Sequence, residues 1–249
     1  MLHRVAHRGY STVAPENTLP AFAAALRAGA TFVEFDIRVT RDGVPVVIHD
    51  RTVNRTTSGA GRVWDLTAEE IAVLDAGSWF GPGFAGLRVP TLAETLDLLA
   101  AGPAELLVEI KPPATLDEVK TIVAQLAERD LLGRSVIQSF DTDVIRKVRD
   151  IAPEVRRGLL LFRFDAETVQ LSRELGVAYC NPDLADVLSG PETMAGLAEA
   201  GVGVMPWTPN DMAQWGPLVD AGVAGLITDH VGELTGWSTA PAAAPAAIL

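Results

Sequence analysis

Eight short β-forming runs, separated by stretches with the apolar spacing of helices, leave few folds open to this chain. The runs are residues 4–7, 32–37, 105–111, 135–139, 157–161, 177–180, 202–206 and 224–228. Regular alternation of this kind demands parallel strands with covering helices, because one strand reaches a parallel neighbour only through a long crossover. Eight such units predict a single α/β domain, a (β/α)8 TIM barrel, and 249 residues suit it. A doubly wound sheet also alternates, but its phosphate site opens with a glycine-rich strand-to-helix turn, and no such turn occurs here.

Helix signals fill the gaps. Thr18 can cap a helix with Pro20 in its first turn and Phe22 and Leu26 on one face, ending near Gly29. Residues 116–132, 141–151 and 166–175 show comparable spacing, and Gly133, Gly176, Gly201 and Gly222 stand where C-terminal stops belong. Residues 51–90 break the alternation and read as a small insertion after the second strand region. Within it Thr67 and Glu70 form a capping box, the mark of a short helix. The segment leaves directly after His49, so it belongs on the C-terminal rim of the strands. There Trp79, Phe80 and Phe84 either face a substrate or form a private core. The expected barrel domain is 1–237, followed by an uncharged Ala/Pro tail, 238–249, with little to pack against.

Composition narrows the partners. With 48% apolar residues the chain can bury a sizeable core, and no apolar run approaches the ~20 residues that span a bilayer. A strand begins within a few residues of Met1, leaving no room for a secretory signal, so the expected location is cytoplasmic. The single cysteine, Cys180, lies in an apolar run and belongs in the core. With 32 acids against 20 bases the net charge is −12, which argues against nucleic acid or anionic membrane as partner and favours a small molecule. No pattern indicates an oligomeric state.

The chemistry concentrates at strand ends. In Val33-Glu34-Phe35-Asp36-Ile37 the two-residue strand period puts Glu34 and Asp36 on one face and the apolar residues on the other. By the same period Glu109 and Lys111 share a face in Val108-Glu109-Ile110-Lys111. If the three acids converge, they form a hard oxygen site for Mg²⁺ or Ca²⁺; equally, Arg8 and Lys111 could neutralise them as a metal-free ion network. His7 and His49 each end a β run beside these acids, which suits proton transfer near neutral pH. Arg8 offers a fork and Lys111 a point charge for phosphate oxygens. Glu16 and Asn17 precede the first helix and read as capping residues or as rim groups. Trp207, at the end of the seventh run, either packs in the core or lies against a substrate. His3 and His230 have no acid motif beside them and stay unassigned.

Several motifs recur in a familiar order. His7-Arg8-Gly9, Pro15-Glu16-Asn17-Thr18, Glu34-x-Asp36, Asp42-Gly43 and His49-Asp50 resemble the N-terminal signature of the glycerophosphodiester phosphodiesterases. The likeness continues through Arg51 to Thr57, Ala76-Gly77-Ser78-Trp79-Phe80, Val108-Glu109-Ile110-Lys111, Trp207-Thr208 and Ile227-Thr228-Asp229, so it spans roughly the first 235 positions. The resemblance implies a divalent cation held by Glu34, Asp36 and Glu109, with His7 and His49 as general acid and base in an order left open. It implies release of an alcohol and sn-glycerol 3-phosphate from a small glycerophosphodiester, with Trp207 on the rim. Lysophospholipase D or sphingomyelinase D activity is the enzyme alternative, and a large apolar entrance would favour it. A noncatalytic phosphodiester-binding barrel is the other, and a missing histidine or acid would favour that.

Overall fold

A computed structural model of the chain describes residues 2–240. In chain order it holds β1 (His3–Ala6), α1 (Leu19–Arg27), β2 (Phe32–Val39), β3 (Pro45–Val47), α2 (Ala68–Ala72), α3 (Leu92–Ala100), β4 (Glu105–Ile110), α4 (Leu116–Ala127) and β5 (Ser135–Ser139). Then follow α5 (Thr142–Ile151), β6 (Arg156–Leu161), α6 (Ala166–Leu175), β7 (Tyr179–Pro182), α7 (Pro191–Glu199), β8 (Gly203–Val204), α8 (Met212–Asp220), β9 (Gly225–Thr228) and α9 (Val231–Thr239). Eight parallel strands run β8-β7-β6-β5-β4-β2-β1-β9, while β3 pairs antiparallel with the upper end of β2 alone. The ring closes between β8 and β9. Ala224 N–H donates to Val204 O at 2.8 Å and Ile227 N–H to Pro206 O at 3.0 Å, and Trp207 bridges Ile227. A doubly wound sheet would leave two edges unpaired; here none of the eight is, and the chain is a (β/α)8 barrel.

Strand period sorts the two cores. On β2, Val33, Phe35 and Ile37 face the helices and pack with Phe22 of α1, Leu96 of α3 and Ile122 of α4. Phe32 faces the barrel axis, where Val5, Leu107, Val136, Met205 and Ile227 meet it in an apolar plug. The polar residues of β2 and β4 therefore stand above an apolar floor. Cys180 is fully buried among Leu159, Leu175 and Leu197, and burial pushes its thiol up to about 12, consistent with core packing.

Tertiary packing shifts several boundaries. Strand β1 stops at Ala6, so His7 begins the following turn. The seventh strand runs Tyr179–Pro182, displaced from 177–180 because its ladder with β6 pairs Gly158 with Tyr179 and Leu161 with Pro182. Helix α4 ends at Ala127, five residues short of its apolar pattern: Asp130 takes a φ of +56° and turns the chain, and a 3-10 turn, Leu132–Arg134, contains Gly133. Gly176, by contrast, ends α6 in the left-handed conformation, at φ +61°. Helices α7, α8 and α9 have weak apolar patterns and carry Gly196, Pro217 and Gly236 in their interiors. Because α9 reaches Thr239, Ser238 and Thr239 are helical and not tail; residues 241–249 lie outside the described residues.

The Thr67–Glu70 capping box forms and opens α2. Around it, residues 51–90 build their own small core from Val53, Val63, Ile71, Ala76 and Val89 against Val46 and Ile48. Trp79, Phe80 and Phe84 stack edge to face with ring centroids 5.6 and 5.3 Å apart. Among the described residues no helix is long and apolar enough to cross a membrane. The plug gives the fold a direct test: Phe32→Ala should lower unfolding stability by about 3–5 kcal/mol in denaturant titration, the usual cost of emptying a buried aromatic site. A loss below about 1 kcal/mol would mean that the floor repacks without it.

Candidate active site

The turn after β1 places His7 and Arg8 over the plug. Gly9 makes that turn possible: its φ is +82°, and a Cβ there would lie 2.8 Å from the Ala21 backbone of α1. His7 Nδ1 lies 2.7 Å from Asp229 Oδ1, at the top of β9. Ser11 Oγ and Asn210 Nδ2 also donate to that carboxylate, at 3.0 and 2.6 Å. Burial opposes the Asp229 charge, yet these donors outweigh it and hold the carboxyl well below its usual range. An ionised carboxylate only accepts, so His7 Nδ1 carries the hydrogen and Nε2 is left free.

His49 is built the same way from a different element. Its Nδ1 lies 2.8 Å from Asp50 Oδ1, and Arg55 donates to Asp50 through Nε and Nη2 at 2.8 and 3.0 Å. Arg55 first, then His49, keeps Asp50 ionised. Burial lowers His49 below the ordinary histidine value, and Lys111 and Arg8 add to that against the opposing Asp36 and Asp50. Arg55 also grips Glu16 at 2.7 and 2.8 Å, and Glu16 accepts from Arg8 Nη1 at 2.9 Å. A continuous chain of charge thus links His49 to Arg8.

Between the histidines lie the three acids. Glu34, Asp36 and Glu109 are only 2%, 1% and 5% exposed, and one oxygen from each falls within 4.8 Å of the others. Arg8 N–H donates to Glu34 Oε2 at 2.8 Å, and Arg8 Nε lies 3.4 Å from Asp36 Oδ2. Lys111 Nζ sits 2.8 Å from Asp36 Oδ1 and 2.6 Å from Glu109 Oε1. Lys111 is thus the buried cation shared by Asp36 and Glu109. Asp36 resists burial because Lys111 and Arg8 hold its carboxyl well below the usual range. Glu34 and Glu109 are pushed up, by burial and then by the neighbouring carboxylates. Three carboxyl groups crowd one buried point with only two cations beside them. An all-oxygen donor set of this kind suits a hard divalent cation.

Asn17 and Glu16 are site residues and not helix caps. Asn17 Nδ2 donates to Asp36 Oδ2 at 2.8 Å and its Oδ1 accepts from Asp36 N–H at 3.3 Å. Thr18 occupies the N-cap position of α1 but spends its hydroxyl on Pro15 O. His3 lies at the opposite end of the barrel against Phe32 and Tyr179.

A cavity of about 330 Å³ collects these groups: His7, Arg8, Glu34, His49, Glu109 and Lys111 line one side. The other side is aromatic. Phe140 and Phe162 stack with centroids 4.7 Å apart, and Trp207 stands edge-on to both at 5.8 and 5.6 Å. Trp207 Nε1 donates to Asn181 O at 2.9 Å, which fixes the indole as part of the wall. Trp79, Phe80 and Phe84 do not line this cavity, so the wall is built from strand ends and not from residues 51–90. No motif marks Phe140 or Phe162, and Asp229 falls within a motif of the resemblance without a role assigned to it. Their signal is positional, since each lies one residue beyond β5, β6 and β9, on the rim where barrel strands display their groups.

Known proteins share this arrangement. The glycerophosphoryl diester phosphodiesterase family matches residues 7–233. A glycerophosphodiester phosphodiesterase from Caldanaerobacter subterraneus is 39% identical over 228 residues, 90% of this chain and 93% of the relative. The crystal structure of a glycerophosphodiester phosphodiesterase from Agrobacterium tumefaciens is 29% identical with a TM-score of 0.83, covering 95% of this chain and 100% of that one. A phosphodiesterase from Oleispira antarctica, in complex with the product sn-glycerol-3-phosphate, is 27% identical with a TM-score of 0.88 over 95% of this chain and 96% of that one. With its barrel, its acid cluster and a match running nearly end to end, the chain belongs to the glycerophosphoryl diester phosphodiesterase family.

Proposed function

We propose that the protein hydrolyses glycerophosphodiesters to an alcohol and sn-glycerol 3-phosphate, with His7 and His49 as its proton-transfer pair. The observation that carries this is the cavity itself: two histidines, each oriented by an ionised carboxylate, flank a buried acid cluster and two cations. Glycerol 3-phosphate is the product bound by the Oleispira relative. Glu34, Asp36 and Glu109 would hold one divalent cation, Mg²⁺ or Ca²⁺, which supplies charge neutralisation at the phosphoryl oxygens.

A phosphodiester resists attack because its nucleophile approaches an anion and its leaving alkoxide is strongly basic. Arg8 and Lys111 face the cavity and stabilise charge on the nonbridging oxygens. Burial keeps His49 neutral at pH 7, so its free Nε2 suits the base, and His7 Nε2 then suits the acid. The attacking oxygen is the substrate's own 2-hydroxyl. Its tether supplies proximity, on the order of 7–11 kcal/mol in the best intramolecular cases. His49 takes the hydroxyl proton as the new O–P bond forms, and His7, entering the step with a proton on Nε2 as well as on Nδ1, gives the Nε2 proton to the departing alcohol as the old bond breaks. Water then opens the cyclic phosphate with the two histidines in exchanged roles. Trp207, Phe140 and Phe162 shelter the organic part from water.

Replacing either His7 or His49 by Ala should reduce kcat roughly 10²- to 10⁴-fold while the unfolding midpoint is retained, the usual worth of a positioned acid or base. Near wild-type turnover in either variant would remove that histidine from the mechanism. Exhaustive chelation should abolish hydrolysis, and re-addition of Mg²⁺ or Ca²⁺ should restore it and identify the cation. Full turnover by protein free of metal in elemental analysis would leave the acids as an ion network only. A diester lacking the 2-hydroxyl, matched in charge and leaving group, should not be cleaved; cleavage within a few fold of the normal rate would make water the nucleophile.

A further inference from the structure

A second cavity, of about 350 Å³, opens on the same rim and shares Lys111 with the catalytic one. Arg38, Trp64, Pro113, Glu118 and Lys147 line it. Arg38 stands two residues after Asp36 on β2, so the strand period returns it to the face of Glu34 and Asp36, one step nearer the rim. Its Nε donates to the His49 carbonyl at 2.9 Å, which fixes the guanidinium plane and leaves its other nitrogens uncommitted. Among the described residues no carboxylate pairs with it. Burial opposes its charge, Asp36, Glu109 and Asp50 favour it from a distance, and Arg51 opposes it.

The rest of the lining matches. Lys147 brings another positive charge, held by Ala114 O at 2.8 Å and by Asp143 at 2.7 Å. The acid on the wall, Glu118, is committed: its Oε2 accepts the Thr115 N–H at 2.6 Å in the capping box of α4. Trp64 is 37% exposed and gives, with Pro113, an apolar surface on which a carbon skeleton can lie. The free guanidinium nitrogens of Arg38 and the ammonium of Lys147 thus face this cavity as donors suited to an anion. Lys111 borders both cavities, so the second lies beside the first.

We propose that this second cavity is a specificity subsite for the alcohol half of the substrate, where Arg38 and Lys147 bind a phosphate or carboxylate carried by that alcohol and Trp64 flanks its carbons. The proposal rests on the phosphodiesterase reading above. Glycerophosphoinositol and glycerophosphoinositol 4-phosphate differ only in a second phosphate on the alcohol, and their kcat/KM values test it. Arg38→Gln and Lys147→Gln should each lower kcat/KM for the phosphorylated diester roughly 10- to 100-fold, the worth of a charge-assisted hydrogen bond, and for the neutral one less than about threefold. Equal losses on both diesters would show that these residues act on the fold or through the His49 carbonyl, and would overturn the subsite. No loss on either would also overturn it. Lys147→Gln lies away from His49 and keeps the test decisive if Arg38→Gln fails to fold. Inorganic phosphate that slows the neutral diester through Arg38 without competing with it would assign the cavity to a separate anion, against the proposal. A wild-type enzyme that cleaves neither diester would strike the phosphodiesterase reading, and the subsite would fall with it.

Discussion

Three carboxylates forced together above an apolar plug are the constraint around which the upper half of this barrel is arranged. Glu34 and Asp36 share a face because a strand repeats every two residues, and the register of β2 with β4 sets Asp36 opposite Glu109. Buried acids at such separations cannot all stay charged without compensation. The compensation comes from sequence-distant elements: Arg8 from the turn after β1, Lys111 from beyond β4, Asn17 from the approach to α1. Each is placed at the same height by the barrel's closure. The cluster thus depends on the plug below it for its low dielectric and on the strand register for its proximity.

The histidines are oriented by a different device, and its two halves are unequal. Asp229 is satisfied by neutral donors and by His7, in a self-contained arrangement at the β9 end. Asp50 relies on Arg55, which in turn is held by Glu16. His49 is thereby tied to Arg8 through Asp50, Arg55 and Glu16, so proton transfer and phosphate binding share one support. Exposed ion pairs contribute little to stability, with a median of about 0–1 kcal/mol, and the value of this chain lies in orientation.

Much of this was legible in the sequence because it follows from short periods. Alternating strand and helix patterns imply the barrel, and the two-residue period places Glu34 with Asp36 and Glu109 with Lys111. What the sequence did not show depends on contacts between distant segments. Asp229 is 222 positions from His7, and nothing local marks them as partners. Phe140 and Phe162 look like ordinary apolar residues until the ring brings β5 and β6 beside Trp207. The aromatic cluster of Trp79, Phe80 and Phe84 shows the converse: it has the composition of a substrate wall, yet its residues pack on one another. Asn17 and Glu16 stayed ambiguous for a third reason, since capping residues and carboxylate partners are drawn from the same amino-acid types.

Charge explains how a protein of net −12 can receive an anion at all. With all three acids ionised, they would leave −3 + 2 = −1 against Arg8 and Lys111 at the centre of the cavity, a sign that would repel a phosphodiester. Adding two positive charges at the acids reverses it to +1. The same addition relieves Lys111 Nζ and the Arg8 guanidinium of their duty as counter-ions, so both become available to nonbridging oxygens. Protonating Glu34 or Glu109, the two acids that burial pushes up, removes only one negative charge each and supplies no new cationic partner. Glu34, Asp36 and Glu109 would hold a divalent cation, which would supply charge neutralisation while Lys111 and Arg8 bind the nonbridging oxygens. The aromatic face opposite the cluster adds no charge of its own, which leaves the sign of the cavity to be set by the acid cluster and its two basic partners alone.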